Sequence, residues 1–137
     1  MHYNIFLHVY RSQGTVTNDE NWHHVCITWE GVSGNYVFYK DGNKTWEGVH
    51  GPTADIPGGG VWVLGQDQDR LGGGFVMADL FKGEMVETNI WNKVLTAQEI
   101  SMMSKGCQAN LPHGIIKSWK EFLHGVKGNV KKVKAIC

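Results

Sequence analysis

Residues 36–47 read Y-V-F-Y-K-D-G-N-K-T-W-E, and the fold is decided there. A short run of aromatic and β-branched side chains, Tyr36 to Tyr39, suits a pleated, half-covered strand. It runs into Lys40-Asp41-Gly42-Asn43, and Asp-Gly is a favoured pair for a two-residue hairpin turn in which both central residues take positive φ. Lys44 to Glu47 then reads as the return strand. The same punctuation recurs on both sides. Short apolar runs bounded by Gly, Asp and Asn place strands at Ile5–Tyr10, Trp22–Trp29, Val61–Leu64, Met85–Trp91 and Gly114–Trp119. The apolar residues of Trp22–Trp29 are nearly continuous, which predicts a strand covered on both faces. The clusters at 58–60 and 72–74, three glycines each, are loops between strands.

One segment departs from this rhythm. Thr96-Ala97-Gln98-Glu99 is a capping box, and Ile100, Met102 and Met103 supply the apolar face of a short helix ended by Gly106. Many strands and one short helix predict an all-β chain, an antiparallel sandwich with the helix laid on a face. The 137 residues fit a single domain, 1–137. With 42% hydrophobic residues, six Trp and 18 Gly, the chain can bury a core and is rich in turns.

Thirteen basic and thirteen acidic residues cancel, which gives no reason to invoke nucleic acid. The charge is unevenly spread, however. Residues 120–137 form a basic terminal segment with five Lys against one Glu, while residues 1–119 carry eight basic against twelve acidic residues. A solvated strand edge is the ordinary reading of such a tail, and a partner-binding patch the other. No apolar run approaches the ~20 residues of a membrane span, and the N-terminus lacks the pattern of a secretory signal.

The densest polar cluster is Gln66-Asp67-Gln68-Asp69, ahead of a glycine loop. Two carboxylates two residues apart, with amide and backbone oxygens between them, suit calcium, which takes six to eight oxygen ligands at about 2.3–2.6 Å in tolerant geometry. Asp79, ten residues beyond Asp69, is placed to fold back and add a third carboxylate. An EF-hand is excluded by Leu71 at a ligand position and by the missing closing glutamate. A solvated acidic turn is the competing reading. Catalytic signatures are lacking: there is no G-x-S-x-G or H-E-x-x-H, and His23 and His24 point to opposite faces of an extended segment. The chain is read as a non-enzyme. Asn43-Lys44-Thr45 is a glycosylation sequon at the hairpin tip and favours an extracellular address. The three cysteines, Cys26, Cys107 and Cys137, show no metal-binding or redox spacing.

Three stretches together resemble the pentraxin domain: W-H-H-V-C-I-T-W-E at 22–30, V-L-G-Q-D-Q-D-R-L-G-G-G-F at 63–75 and I-W-N-K-V-L-T-A-Q-E-I at 90–100. The resemblance covers most of residues 5–120 and is to the C-terminal part of the domain, so an N-terminally truncated domain is expected. It implies a jelly-roll-like sandwich of the pentraxin, laminin-G and concanavalin type. It also implies calcium bound through Asp67, the backbone carbonyl of Gln68, Asp69 and Asp79. Where the family places a glutamate ligand after the loop phenylalanine, this chain has Val76, so a weakened single site is expected. The family pairs the cysteine of H-V-C with one upstream, which leaves Cys26 unpaired here. Cys107 and Cys137 resemble the extra cysteines of pentraxin modules in adhesion-receptor ectodomains and are expected to pair. A bridge closing about 30 residues contributes roughly 3–4 kcal/mol when unstrained.

The function implied is calcium-dependent extracellular recognition of an anionic or glycan ligand, with a homo-oligomer as one assembly. A metal-independent interaction domain of an adhesion-receptor ectodomain is the alternative, and a concanavalin-like glycan hydrolase ranks last.

Overall fold

The computed structural model describes residues 19–49, 56, 58–107 and 111–134. The expected strand at Ile5–Tyr10 lies outside them. The chain divides into two compact units, one including Ile56–Met85 and the other containing both sheets and both α-helices seen among the described residues.

In the second unit, β1 (Val25–Trp29), β2 (Asn35–Lys40) and β3 (Asn43–Val49) form an antiparallel sheet in the order β1-β2-β3. The Asp41–Gly42 turn has φ of 51° and 79°, the double positive φ required of a two-residue hairpin between Lys40 and Asn43. Its glycine is needed for space as well. A Cβ on Gly42 would stand 2.5 Å from Ser104 Oγ and 3.2 Å from Ser101 Cα, so the turn and the end of the helix approach closely. Register shifts between Phe38 and Tyr39, which face Trp46 and Lys44, so Thr45 is an extra residue on β3. Its hydroxyl donates to the Phe38 carbonyl at 3.2 Å.

β4 (Ile90–Trp91) and β5 (Ile115–Lys117) form a second, two-stranded antiparallel sheet. Helix α1 (Ala97–Met103) begins at the anticipated capping box. Thr96 Oγ1 accepts from Glu99 N at 3.2 Å and Thr96 N donates to Glu99 Oε2 at 2.8 Å. Lys93 Nζ at 2.7 Å and the Thr96 groups hold the Glu99 carboxyl down to about 2. The helix is capped at Ser104, two residues before the glycine expected to end it.

The core is small. Tyr39, Leu95 and Ile100 are buried together, with Cys26, Val37, Trp91 and Met103 packed against them. Alternation along β1 places Cys26 and Thr28 inward, whereas Val25 and Ile27 are 44% and 42% exposed. Near-continuous hydrophobicity therefore did not mean two covered faces. The opposite face of β2 carries an aromatic group in which Phe38 is buried, with Tyr36 and Phe38 in edge contact at 5.8 Å and Trp46 Nε1 donating to Tyr36 Oη at 3.3 Å.

Part of the basic terminal segment is helical, not a strand edge. A second helix, α2 (Trp119–His124), follows β5, with Ser118 N and Ser118 Oγ both donating to Glu121 Oε2 at 2.8 Å. Cys26 is a free thiol whose ionisation burial pushes up to about 11, so it is chemically quiet. Cys107 is disulfide-bonded, and Cys137 lies outside the described residues.

His23 ties the approach to β1 onto the hairpin turn. Its Nδ1 is 2.8 Å from Asp41 Oδ2, and its Nε2 is 3.0 Å from Asp19 Oδ1. The other Asp41 oxygen accepts from His24 N at 3.0 Å. Hydrogen bonds from Asp41 and then Asp19 raise the His23 imidazole above its ordinary 6.5, while the His23 bond holds the Asp41 carboxyl below its ordinary 3.8. The folded chain binds the His23 proton more tightly than the unfolded one. That contribution is complete below about pH 6.5 and is lost as pH climbs through the raised value. The Asp41 contribution is present above its ordinary value and is lost on acidification. Burial lowers the neighbouring His24 imidazole, which acts in the opposite sense up to its ordinary 6.5, so the fall in melting temperature due to His23 should be read between about pH 7 and pH 8.5, and Asp41→Asn should flatten that slope. An unchanged slope in the variant would assign the pH dependence to other groups.

Candidate functional site

The unit Ile56–Met85 contains every residue expected to hold calcium. Val61–Leu64, expected as a strand, forms none; the backbone there is irregular. Order comes instead from two nested closures. In the outer one, Gln66 and Leu80 form an isolated antiparallel bridge and Phe81 N donates to Gly65 O at 3.0 Å. In the inner one, Arg70 and Gly73 exchange N–H···O bonds of 3.2 and 2.9 Å.

Two glutamine side chains brace the space between. Gln68 Nε2 donates to Val61 O at 2.9 Å, and its Oε1 accepts from Gly72 N at 2.9 Å. Gln66 Nε2 donates to Val76 O at 2.5 Å. That same Val76 carbonyl accepts from Asp79 N at 3.2 Å, in the 3-10 turn Met77–Asp79. Gln66 thereby ties the start of the acidic triplet to the turn that carries Asp79. Gly74, at φ 78°, lies against Asp69, and a Cβ there would stand 2.7 Å from Asp69 Cβ. The glycine is required at this position both by backbone conformation and by space.

The aspartates are left outward by this bracing. Asp67, Asp69 and Asp79 are exposed, whereas Gln66 and Gln68 are partly buried. Asp67 Oδ1 accepts from Gln68 N at 2.8 Å, which leaves Oδ2. The Val76 side chain is 46% exposed and has no donor atom for an ion. In chemistry the donor set suits calcium, being hard carboxylate and carbonyl oxygens on a glycine-rich loop. Convergence is a separate matter. Among the described residues no group of three His, Cys, Asp or Glu side chains stands where it could hold a metal ion, so Asp67, Asp69 and Asp79 share a frame without sharing a centre.

The two histidines have the opposed settings expected of an extended segment. His23 meets carboxylates, while His24 Nδ1 is buried with no partner among the described residues and burial lowers its pKa. Asn43 opens β3 beside the turn, is exposed, and donates from Nδ2 to Asp41 O at 3.2 Å. The role of Asp41 as the point where residues 19–24 attach was not foreseen. The only sequence signal for it was a carboxylate in a hairpin turn.

An antiparallel β fold with a glutamine-braced acidic loop defines the class, and comparison places it. The family model described as the Pentaxin family matches residues 2–133, and the chain belongs to that family. It is 40% identical over 116 residues to the mouse sushi, von Willebrand factor type A, EGF and pentraxin domain-containing protein 1, a match covering 83% of this chain and 3% of that protein. It is 43% identical over 100 residues to mouse neuronal pentraxin-2, covering 72% of this chain and 23% of the relative. Among solved structures, the native heptameric SAP-like pentraxin from Limulus polyphemus matches with a TM-score of 0.66 and 35% identity, over 73% of this chain and 46% of that one. The chain thus spans less than half the length of each of these proteins. The fold is that of this neighbour, antiparallel sheets of a jelly-roll sandwich with short helices. No helix among the described residues is long and apolar enough to cross a membrane.

Proposed function

We propose that this chain is a calcium-dependent extracellular recognition module and not an enzyme. The observation that carries the reading is the division of labour in the loop: Gln66 and Gln68 spend their amides on the frame, and Asp67, Asp69 and Asp79 face solvent. Asp67, the Gln68 carbonyl, Asp69 and Asp79 would hold the ion. When bound, it supplies a positive centre with open coordination positions for an anionic or polyhydroxyl ligand. The chain's own part is to keep the triplet's backbone fixed through the Gln68–Val61 and Gln68–Gly72 bonds, so that few degrees of freedom remain to be ordered.

A second reading is favoured by Val76 and by the absence of a converged carboxylate group among the described residues: a metal-independent interaction domain that keeps the loop as a scaffold. Family membership supports both readings, and a concanavalin-like hydrolase has no support from the site. We further propose that Cys107 pairs with Cys137, that Asn43 carries a glycan in an extracellular setting, and that self-association into a ring is open to the chain. The heptamer of the Limulus relative supports the last of these, the exposed Asn43 the second and the bonded state of Cys107 the first.

Calcium titration separates the two readings. With a dissociation constant near 1 mM, 10 mM calcium should stabilise the fold by about 1.4 kcal/mol, read as a rise in melting temperature. The rise should vanish in Asp67→Asn plus Asp69→Asn and shrink in Asp79→Asn. No rise in the unsubstituted protein would reject the ion and favour the scaffold reading. Thiol counting on unreduced, denatured protein checks the cysteines, with one thiol per chain expected and three overturning the bridge.

A further inference from the structure

The lysines of the terminal segment are unused by anything described so far. Lys120 lies on α2, and Lys127, Lys131, Lys132 and Lys134 follow it; all five are exposed. Lys117 is paired with Glu121 at 3.5 Å, Lys93 with Glu99 and Lys44 with Glu47. Among the described residues Lys120, Lys127, Lys131, Lys132 and Lys134 have no carboxylate partner.

The segment is also folded back and not left trailing. Gly125 caps α2, Gly128 turns at φ 75°, and Lys132 Nζ donates to the Leu123 carbonyl at 2.5 Å, nine residues back along the chain. That bond serves a neutral oxygen at the helix C-terminus, where positive charge is favoured, and leaves the charge of Lys132 uncompensated. Residues 1–119 carry an acidic excess, so the chain's zero net charge conceals one concentrated basic segment whose described lysines are exposed.

We propose that residues 120–134 form a calcium-independent docking surface for a sulfated polysaccharide. The partner must be a linear polyanion, because the charges follow a stretch of chain and do not converge on one point. Nucleic acid fits poorly: no Phe, Tyr or Trp follows Phe122, and Phe122 itself lies under Lys117 with the ammonium 5.7 Å from its ring, so His124 alone is a poor stacking platform beside the lysines. An anionic bilayer fits poorly as well. Lys127 to Lys134 lie on irregular chain, so Val126, Val130 and Val133 are not gathered on the apolar face of an amphipathic helix. Lysine ammoniums are flexible point charges, which suits sulfates distributed along a polymer better than bidentate recognition of one group.

Immobilised heparin is the probe. Each ammonium that displaces a counterion steepens the salt dependence, and four to five contacts give a slope of log affinity against log salt of about −3 to −4.5. Lys127→Ala, Lys131→Ala, Lys132→Ala and Lys134→Ala combined should bring the slope to about −1 or shallower, with a circular dichroism spectrum unlike that of an unfolded chain. The same four positions changed to Arg should keep it, which guards against loss through misfolding. Chelation of calcium should leave heparin binding unchanged, so failure here is distinguishable from failure of the loop reading. Unchanged binding in the alanine variant, abolition by chelator, or equal retention of single-stranded DNA or of phosphatidylserine vesicles would overturn the proposal.

Discussion

Two residues held at positive φ organise the larger unit. Asp41 and Gly42 close β2 onto β3, and only residues tolerant of that conformation make a two-residue turn whose twist matches the strands. Other contacts depend on the same corner. The Asp41 carboxylate receives His23 and the His24 amide, while Asp41 N donates to His24 O at 2.8 Å, so the entry to β1 is fixed by the turn. On its other side the turn meets Ser101 and Ser104 of α1, beside the helix whose Ile100 is fully buried in the small core. Among the described residues the buried cluster of Tyr39, Leu95 and Ile100 is small and contributes little by area alone, which gives these polar and steric attachments added weight.

The unit that carries the acidic loop is built on a different principle. Its described residues form no regular strands and cover few apolar groups, and glutamine side chains stand in for sheet partners. Gln68 holds Val61 and Gly72 at once, and Gln66 holds Val76, whose carbonyl also anchors the Asp79 turn. Amides brace and carboxylates are presented. A loop braced in this way has few degrees of freedom left to order, so completing it costs less entropy than ordering a free loop would.

Local features were readable from residues 36–47 and 96–106 because their causes are local: a turn's φ requirement and a helix's orphan amides. Val61–Leu64 was misjudged because hydrophobicity without a pairing partner does not make a strand, and Trp62 remains 47% exposed. Helix α2 repeats the capping-box spacing in Ser118-Trp119-Lys120-Glu121, but the apolar run Gly114–Trp119 that reads as a strand overlaps its start. At the candidate site, Asp67, Gln68, Asp69 and Asp79 fall in one compact unit, but convergence is a three-dimensional property that spacing does not contain. The clasp of Asp19, His23 and Asp41 was invisible for the same reason, since it joins residues eighteen positions apart.

The claim that the Asp41–Gly42 corner organises its unit is tested most directly by hydrogen exchange of Gly42→Ala, followed residue by residue. A Cβ at that φ and in that space should open the corner. Amide protection should then fall together across β2 and β3, at His24, and at Ile100 and Ser104 in α1. Loss confined to residues 41–43, with the strands and helix as protected as before, would contradict the account.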